Sequence, residues 1–330
     1  MTSQMQAVVF PGDGSLVIAD RPVPTPGPGQ VLVKVHAAGL NRADLLQRAG
    51  AYPAPEGIVP DIPGLEFSGE VVESADDAGA ELIGRRVMGI VAGGAQAGFV
   101  ITDAAQCVTI PDSMSWAEAA AVPEAAFTAW DALCQAEASP GELVLINAIG
   151  SGVGAAGCRL AHLMGARVAG TARSVDKLTA AGQLGMDIGV STAGISSAKD
   201  IAQALLSAGV SPDVTLELVG GDYVAADVAV AAQFGRIVVI GTMAGIKTEM
   251  NLLSLMTKRL TLKGTVLRSR TATEKAAVAT SFAERWGAAL EDGTLRLPVD
   301  AVFDLSGAEA AYAALDSNAI FGKAVLELPH

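Results

Sequence analysis

Histidine, cysteine, aromatic side chains and positive charge are all scarce in this 330-residue chain. The three histidines are His36, His162 and His330, the three cysteines are Cys107, Cys134 and Cys158, and no Cys-x-x-Cys occurs. A zinc site gathers three or four Cys, His or carboxylate ligands, usually with visible local spacing. None is visible, so no metal is expected. An odd, scattered set of cysteines argues for reduced thiols, as in a cytosol. So few histidines leave no Ser-His-acid arrangement for a covalent nucleophile. Apolar runs are short: none approaches the ~18 residues of a membrane span, although 51% of residues are hydrophobic and the mean hydropathy is +0.41. The start, MTSQMQAVVFPGDG, has neither a basic segment nor an apolar core, so no signal peptide is expected. Lysine and arginine total 22 against 35 acids, a net charge of −13. Phosphate contacts need a basic footprint, so nucleic acid is not an expected partner.

Glycine and alanine are plentiful, and they concentrate in Glu142 to Gly157, ELVLINAIGSGVGAAG. Leu143-Val144-Leu145-Ile146 reads as a strand buried on both faces of a parallel sheet. Gly150, Gly152, Gly154 and Gly157 follow, and then an apolar run with helical spacing from Cys158 to Met164. Strand, glycine turn and helix are the context that gives a dinucleotide fingerprint its meaning. Glycines let the backbone turn tightly beside a pyrophosphate, and the helix N-terminus offers free N–H groups and partial positive charge. Two registers fit: Gly152-x-Gly154-x-x-Gly157, and the looser Ala148-x-x-Ser151-x-x-Gly154.

The first ~125 residues read as a small, mostly β unit with Pro- and Gly-rich turns. Strands are expected at 6–10, 16–20, 30–38, 66–74, 86–90 and 97–101. A short helix over 41–49 takes Asn41 as its N-cap. Residues 51–64 hold four prolines and are irregular. From Trp116, capped by Ser115, the chain turns helical. Strands at 143–146, 167–171, 188–190, 214–218, 236–240 and 261–266 then alternate with helices. That pattern describes an α/β fold with a doubly wound parallel sheet. A long helix over 271–290 leads to a strand-helix-strand tail.

The second strand of an NAD-binding sheet ends in a carboxylate that holds the ribose 2′-OH. Here it ends Gly170-Thr171-Ala172-Arg173-Ser174, with Lys177 a turn later. Two cations and a hydroxyl without an acid at the tip suit a 2′-phosphate. NADPH is therefore expected over NADH.

Six blocks, in order, carry a family likeness: LNRADLLQRAGAY (40–52), PGLEFSGEV (63–71), AAAVPEAAFTAW (119–130), SGVG (151–154), LKGTVLRSR (262–270) and NAIFGKAVLEL (318–328). On them the chain resembles the zinc-free, zeta-crystallin-like quinone oxidoreductases of the medium-chain dehydrogenase/reductase superfamily. It looks closest to the tumour-suppressor-inducible type. The resemblance implies a GroES-like catalytic domain from residues 1–126 and 267–330, with a Rossmann domain at 127–266 inserted between. It implies that Asn41, Tyr52 and Thr128 serve the acceptor and the nicotinamide, with Asn41 and Leu65 standing where zinc-dependent relatives place a Cys and a His ligand. Ala148, Ser151, Gly152, Val153 and Gly154 would line the pyrophosphate. Arg173, Ser174, Lys177 and Asn318 would meet the 2′-phosphate, and Val219, Gly241 and Leu267 would complete the cofactor site. Asn147 replaces a histidine of the family, expected to be neutral. Thr192 takes the place of a tyrosine against the adenosine phosphate, with Arg173 compensating.

The activity so implied is hydride transfer from NADPH to a quinone in an interdomain cleft, without metal. Charge developing on the acceptor oxygen would be met by Tyr52, Asn41 or water. The alternatives are reduction of an activated C=C in an enone or enoyl substrate, and a non-catalytic NADPH-binding protein. The last strand, 261–266, reads as a sheet edge, and the resemblance implies homodimers formed through it, in a cytoplasmic protein without a membrane partner.

Overall fold

The computed structural model describes residues 4–329. The chain forms two compact units: one holds the residues up to Phe127 and from Leu267 on, the other is Thr128–Val266.

The first unit opens on an antiparallel pair, β1 (Gln4–Val9) and β2 (Val17–Pro22). Its main sheet starts with β3 (Gln30–Gly39), followed by α1 (Arg42–Arg48), β4 (Glu66–Ser74), β5 (Arg86–Ile90), β6 (Phe99–Asp103) and β7 (Cys107–Thr109). The helices α2 (Trp116–Ala120) and α3 (Pro123–Gln135) come next. Ser115 caps α2 through Glu118 N–H, and the Glu118 carboxylate returns to Ser115 N–H, so two orphan donors are satisfied together.

The second unit alternates strictly: β8 (Leu143–Ile146), α4 (Gly152–Leu163), β9 (Arg167–Ala172), α5 (Val175–Gly182), β10 (Ile188–Ser191), α6 (Ala198–Ser207), β11 (Val214–Glu217), α7 (Asp222–Val230), β12 (Arg236–Val239), α8 (Leu252–Thr257) and β13 (Thr261–Gly264). All six strands are parallel, in the order β10-β9-β8-β11-β12-β13. The winding reverses between β8 and β11. Ligands of such sheets bind outside the carboxyl ends of the strands at that switch point. Every residue of β8 is buried, as its aliphatic run requires. On α6, Ile201 and Leu205 stand one turn apart and are fully buried against Ala169 and Val190. Leu205→Ala would cost about 2–5 kcal/mol of stability.

The chain then returns to the first unit through α9 (Ala272–Glu291), β14 (Val299–Asp304), α10 (Ala308–Asp316) and β15 (Lys323–Glu327). There β15 pairs with β3, so the seven-stranded sheet runs β14-β15-β3-β4-β5-β7, with β6 also on β3. Its core gathers Val33, Val35, Phe67, Leu326 and Tyr312, with Phe10 edge-on to the Tyr312 ring at 5.6 Å.

Among the described residues no helix is long and apolar enough to cross a membrane. None of them forms a cluster of His, Cys, Asp or Glu able to hold a metal.

Candidate active site

The turn after β8 is built around Ala148, a non-glycine residue at φ 53°. Its N–H donates to Thr171 Oγ1 at 3.3 Å and its carbonyl accepts from Ser151 N–H at 2.9 Å. Ser151 is the N-cap of α4, and its Oγ accepts from Gly154 N–H at 3.1 Å. A Cβ on Gly154 would lie 2.5 Å from the Ala148 carbonyl oxygen, which only glycine permits. One on Gly157 would instead meet Leu216 and Ile146, so that glycine serves helix-on-sheet packing. The tight backbone packing thus falls within Ala148-x-x-Ser151-x-x-Gly154, at Gly154. The first N–H groups of a 12-residue helix open at Gly152 and Val153.

Around the turn lie the other residues expected to hold a dinucleotide. The stem of Lys177 packs on Gly150, where a Cβ would come within 2.7 Å of Lys177 Cδ. Arg173 is exposed at the end of β9, and Ser174 is the N-cap of α5. Thr192 is buried and accepts from the hydroxyl of Tyr223 at 2.9 Å. A tyrosine on α7 thus brings its phenol to Thr192, the position for which the sequence offered Arg173 as compensation. Gly241 is required too: a Cβ there would meet the Leu218 carbonyl at 2.5 Å. The Thr128 hydroxyl is buried without a hydrogen-bond partner among the described residues. A glycine cradle, an open helix N-terminus, two cations and an unpaired hydroxyl fit a phosphorylated dinucleotide.

Beneath the turn is a buried polar network that sequence reasoning passed over. Asn147 Nδ2 donates to Glu217 Oε2 at 2.5 Å and to Asp227 Oδ1 at 2.9 Å, and its Oδ1 accepts from Thr171 Oγ1 at 2.9 Å. Glu217 Oε1 accepts from Val219 N–H at 2.5 Å and Gly220 N–H at 2.6 Å. Burial pushes Asp227 well above the usual carboxylate range, reinforced by the adjoining Glu217. Asn147 thus has fixed partners on three sides. This amide joins the glycine turn to the turn that carries Val219.

In the first unit Asn41 occupies the N-cap position of α1, yet its amide is engaged elsewhere. Nδ2 donates to Glu66 Oε1 at 2.8 Å, and Oδ1 accepts from Lys323 Nζ at 2.7 Å. Asp44 is fully buried and accepts from Asn41 N–H at 2.8 Å. Burial raises its carboxyl to about 6, partly offset by the N–H groups of Asn41 and Gly64. Glu124 donates its own N–H to Glu66 Oε2 at 2.8 Å. Burial first, and the Glu66 charge second, push its carboxyl to about 8. It therefore holds a proton at neutral pH.

Tyr52 sits in the proline-rich loop with the Arg268 guanidinium 4.9 Å above its ring. Arg268 is buried and donates to Ala92 O at 2.8 Å, Tyr52 O at 3.2 Å and Gln47 Oε1 at 2.6 Å. Burial raises the Tyr52 phenol, and Arg268 partly counters it. The phenol stays protonated at neutral pH, able to donate. Leu267, before this arginine, is buried. Asn318 lies in the first unit at φ 57°, where its Oδ1 accepts from Arg42 Nη2 at 2.5 Å.

Asn41 and Tyr52 thus share one unit, and the pyrophosphate cradle with Arg173, Ser174 and Lys177 forms in the other. Lys323, Glu66 and Arg268 were missed as site residues. The available signal was chemical: each is a charged residue inside an apolar block, and such residues are buried only when paired.

A zinc-binding dehydrogenase family model matches residues 152–285, and an alcohol dehydrogenase GroES-like domain model matches residues 27–112. Quinone oxidoreductase-like protein 2 of Bos taurus is 31% identical over 316 residues, covering 94% of this chain and 88% of that protein. The polyketide synthase GfsB of Streptomyces halstedii is 38% identical over 214 residues, 64% of this chain. This chain spans between 4% and 14% of the length of the polyketide synthases it matches. The quinone oxidoreductase of Thermus thermophilus, solved also as its complex with NADPH, superposes with a TM-score of 0.80. It is 32% identical, over 98% of this chain and 100% of that one.

Proposed function

The chain belongs to the medium-chain dehydrogenase/reductase superfamily, and on that premise we propose that it is an NADPH-dependent, metal-free reductase of quinones. One observation carries the reading: a protonated phenol and an amide with fixed partners stand ready as donors, in a chain whose other unit holds a cradle without an acid at the end of β9. When bound, reduced nicotinamide supplies the hydride. The chain's own residues bind, orient and stabilise.

The N–H groups of Gly152 and Val153, at the positive end of α4, hold the pyrophosphate without a side chain between. Arg173, Ser174 and Lys177 hold the 2′-phosphate by charge and hydroxyl. Val219, fixed through Glu217, and Gly241 leave backbone room at the switch point. Thr128 gives its buried hydroxyl to the nicotinamide end. Tyr52 O–H and Asn41 Nδ2–H donate to the acceptor oxygen as negative charge grows there, which stabilises the transition state more than the ground state. Arg268 keeps the Tyr52 ring in place.

A second reading has a specific observation behind it: the match to the polyketide synthase GfsB, 38% identical over 64% of this chain against 31% over 94% for the bovine quinone oxidoreductase-like protein 2. In this reading the acceptor is an enone or enoyl thioester, and the same donors stabilise an enolate oxygen. Steady-state rates with NADPH on ortho-quinones, para-quinones, enones and an enoyl thioester decide between them. The quinone reading requires kcat/KM for the best quinone at least tenfold above the best alkene. The reverse order would establish the second reading, and no turnover on any of them would defeat both.

The same reading includes a homodimer formed through β13. Its four residues are all exposed at the edge of the sheet. Nearby, Leu252, Leu253 and Met256 of α8 are 63%, 65% and 69% exposed. An open edge beside an apolar surface calls for a partner strand.

A further inference from the structure

Lys323 is 3% exposed and lies among oxygens. Its Nζ donates to Leu40 O at 2.8 Å, Asn41 Oδ1 at 2.7 Å and Glu66 Oε1 at 2.5 Å. These three contacts use all three donors of an ammonium group. Glu66 is fully buried, and its Oε1 also accepts from Asn41 Nδ2 at 2.8 Å. Gly39 makes room for it, because a Cβ there would collide with the carboxylate.

An asparagine amide has one oxygen and one nitrogen end of nearly the same shape, and it can turn over unless its neighbours forbid it. Here they forbid it. A group that only donates faces one end, and a carboxylate that only accepts faces the other. The reversed amide would set NH2 against ammonium and carbonyl against carboxylate.

We infer that Lys323 and Glu66 are positioning residues that lock the Asn41 amide, so that one Nδ2 hydrogen is held by Glu66 and the second is kept for the oxygen of the acceptor. The inference rests on the proposed role of Asn41 as a donor. An amide free to turn would offer its carbonyl oxygen as often as its N–H, and would repel the charge it should stabilise. Fixing it in advance removes that reorganisation from the reaction step. The ammonium also balances the buried carboxylate. The acceptor must then present an oxygen that only accepts: a carbonyl gaining charge as hydride arrives.

The test is a cycle between Asn41 and the pair. Lys323→Met alone would leave a buried carboxylate unpaired, so the pair is removed together as Lys323→Met/Glu66→Gln. Turnover of duroquinone, NADPH affinity by fluorescence titration and melting temperature are measured in wild type, in Asn41→Ala, in the pair variant and in the combination. Asn41→Ala is expected to lower kcat on the order of 10²-fold. The pair variant is expected to lower kcat about tenfold with NADPH affinity unchanged, and to add less than about twofold in the Asn41→Ala background. Equal losses in both backgrounds would overturn the positioning role while leaving the donor role intact. Wild-type kcat in Asn41→Ala would overturn the donor role, and the inference with it. Should the pair variant not fold, the Asn41 amide resonances of the wild type decide. On adding duroquinone with NADP+, one Nδ2 proton should shift while the one bound to Glu66 stays; two unmoved protons overturn the inference.

Discussion

Arg173 and Lys177 set the nucleotide preference in the proposed reading, and the preference has a size. With no acid at the end of β9, NADPH should be favoured over NADH at least tenfold in kcat/KM, about 1.4 kcal/mol. Lys177→Ala should erode that ratio by raising the NADPH constant alone. Equal efficiency with both cofactors in the wild type would sink the assignment. Glu124 and Asp44 supply a second prediction. The Glu124 carboxyl stands at about 8 against an ordinary 4.5, and Asp44 at about 6 against 3.8. Between those limits the folded chain keeps protons that the unfolded chain has released, so stability is full at low pH and falls as pH rises toward 8. Melting temperature from pH 5 to 9 should decline, and Glu124→Gln should flatten the decline; a profile rising with pH would contradict both shifts. At this scale the resemblance singles out Asn41 and Tyr52, and the glycine turn and the end of β9 single out Ser151 and Lys177. Glu66 and Lys323 lie 257 residues apart. Nothing local could pair them. Tyr223, likewise, reaches Thr192 only because the sheet brings α7 beside the end of β10.

In the proposed reading the turn after β8 is the element on which cofactor binding rests. Ser151→Val removes the cap of α4 and places branched methyls where the backbone must meet phosphate. NADPH affinity should fall at least tenfold, and the lost cap should cost about 1 kcal/mol of stability, leaving a folded protein. Gly154→Ala is the harsher change, because its methyl has no room against Ala148. Unchanged NADPH titration for both variants would remove this turn from the site. The elements themselves were largely legible. Strands β4, β5 and β8 have the limits that the apolar runs suggest, and Ser115 caps α2 as expected, whereas Thr271, expected as the first residue of the long helix, is its N-cap. The three-residue β7 escaped notice, since so short a pairing leaves no periodicity to read. At β13 the apolar run continues to Val266, but pairing stops at Gly264.

At the scale of the whole molecule, assembly is the open prediction, and the register of β13 dictates how to test it. Thr261 and Thr265 donate inward, to Gly235 O and Val239 O at 3.0 Å each. In a parallel ladder the alternate residues, Leu262 and Gly264, then turn their N–H groups outward. The charges flanking the edge do not guard it: Lys258 and Lys263 donate to the carbonyls of Ala229 and Gln135, and Arg259 stacks on Phe234. Light scattering should therefore give a dimer for wild type and a monomer for Leu262→Pro. A single-chain mass for wild type at micromolar concentration defeats the pairing. The return of the chain to its first unit has a different consequence, one of timing. On a ribosome the Rossmann unit has every strand of its sheet once residue 264 has emerged. The seven-stranded sheet must wait for β15, and Glu66 must wait as long for the lysine that neutralises it. The unit with the parallel sheet is thus free to form while the other is still being made. Asn41, translated 282 residues ahead of Lys323, is among the last to find its place.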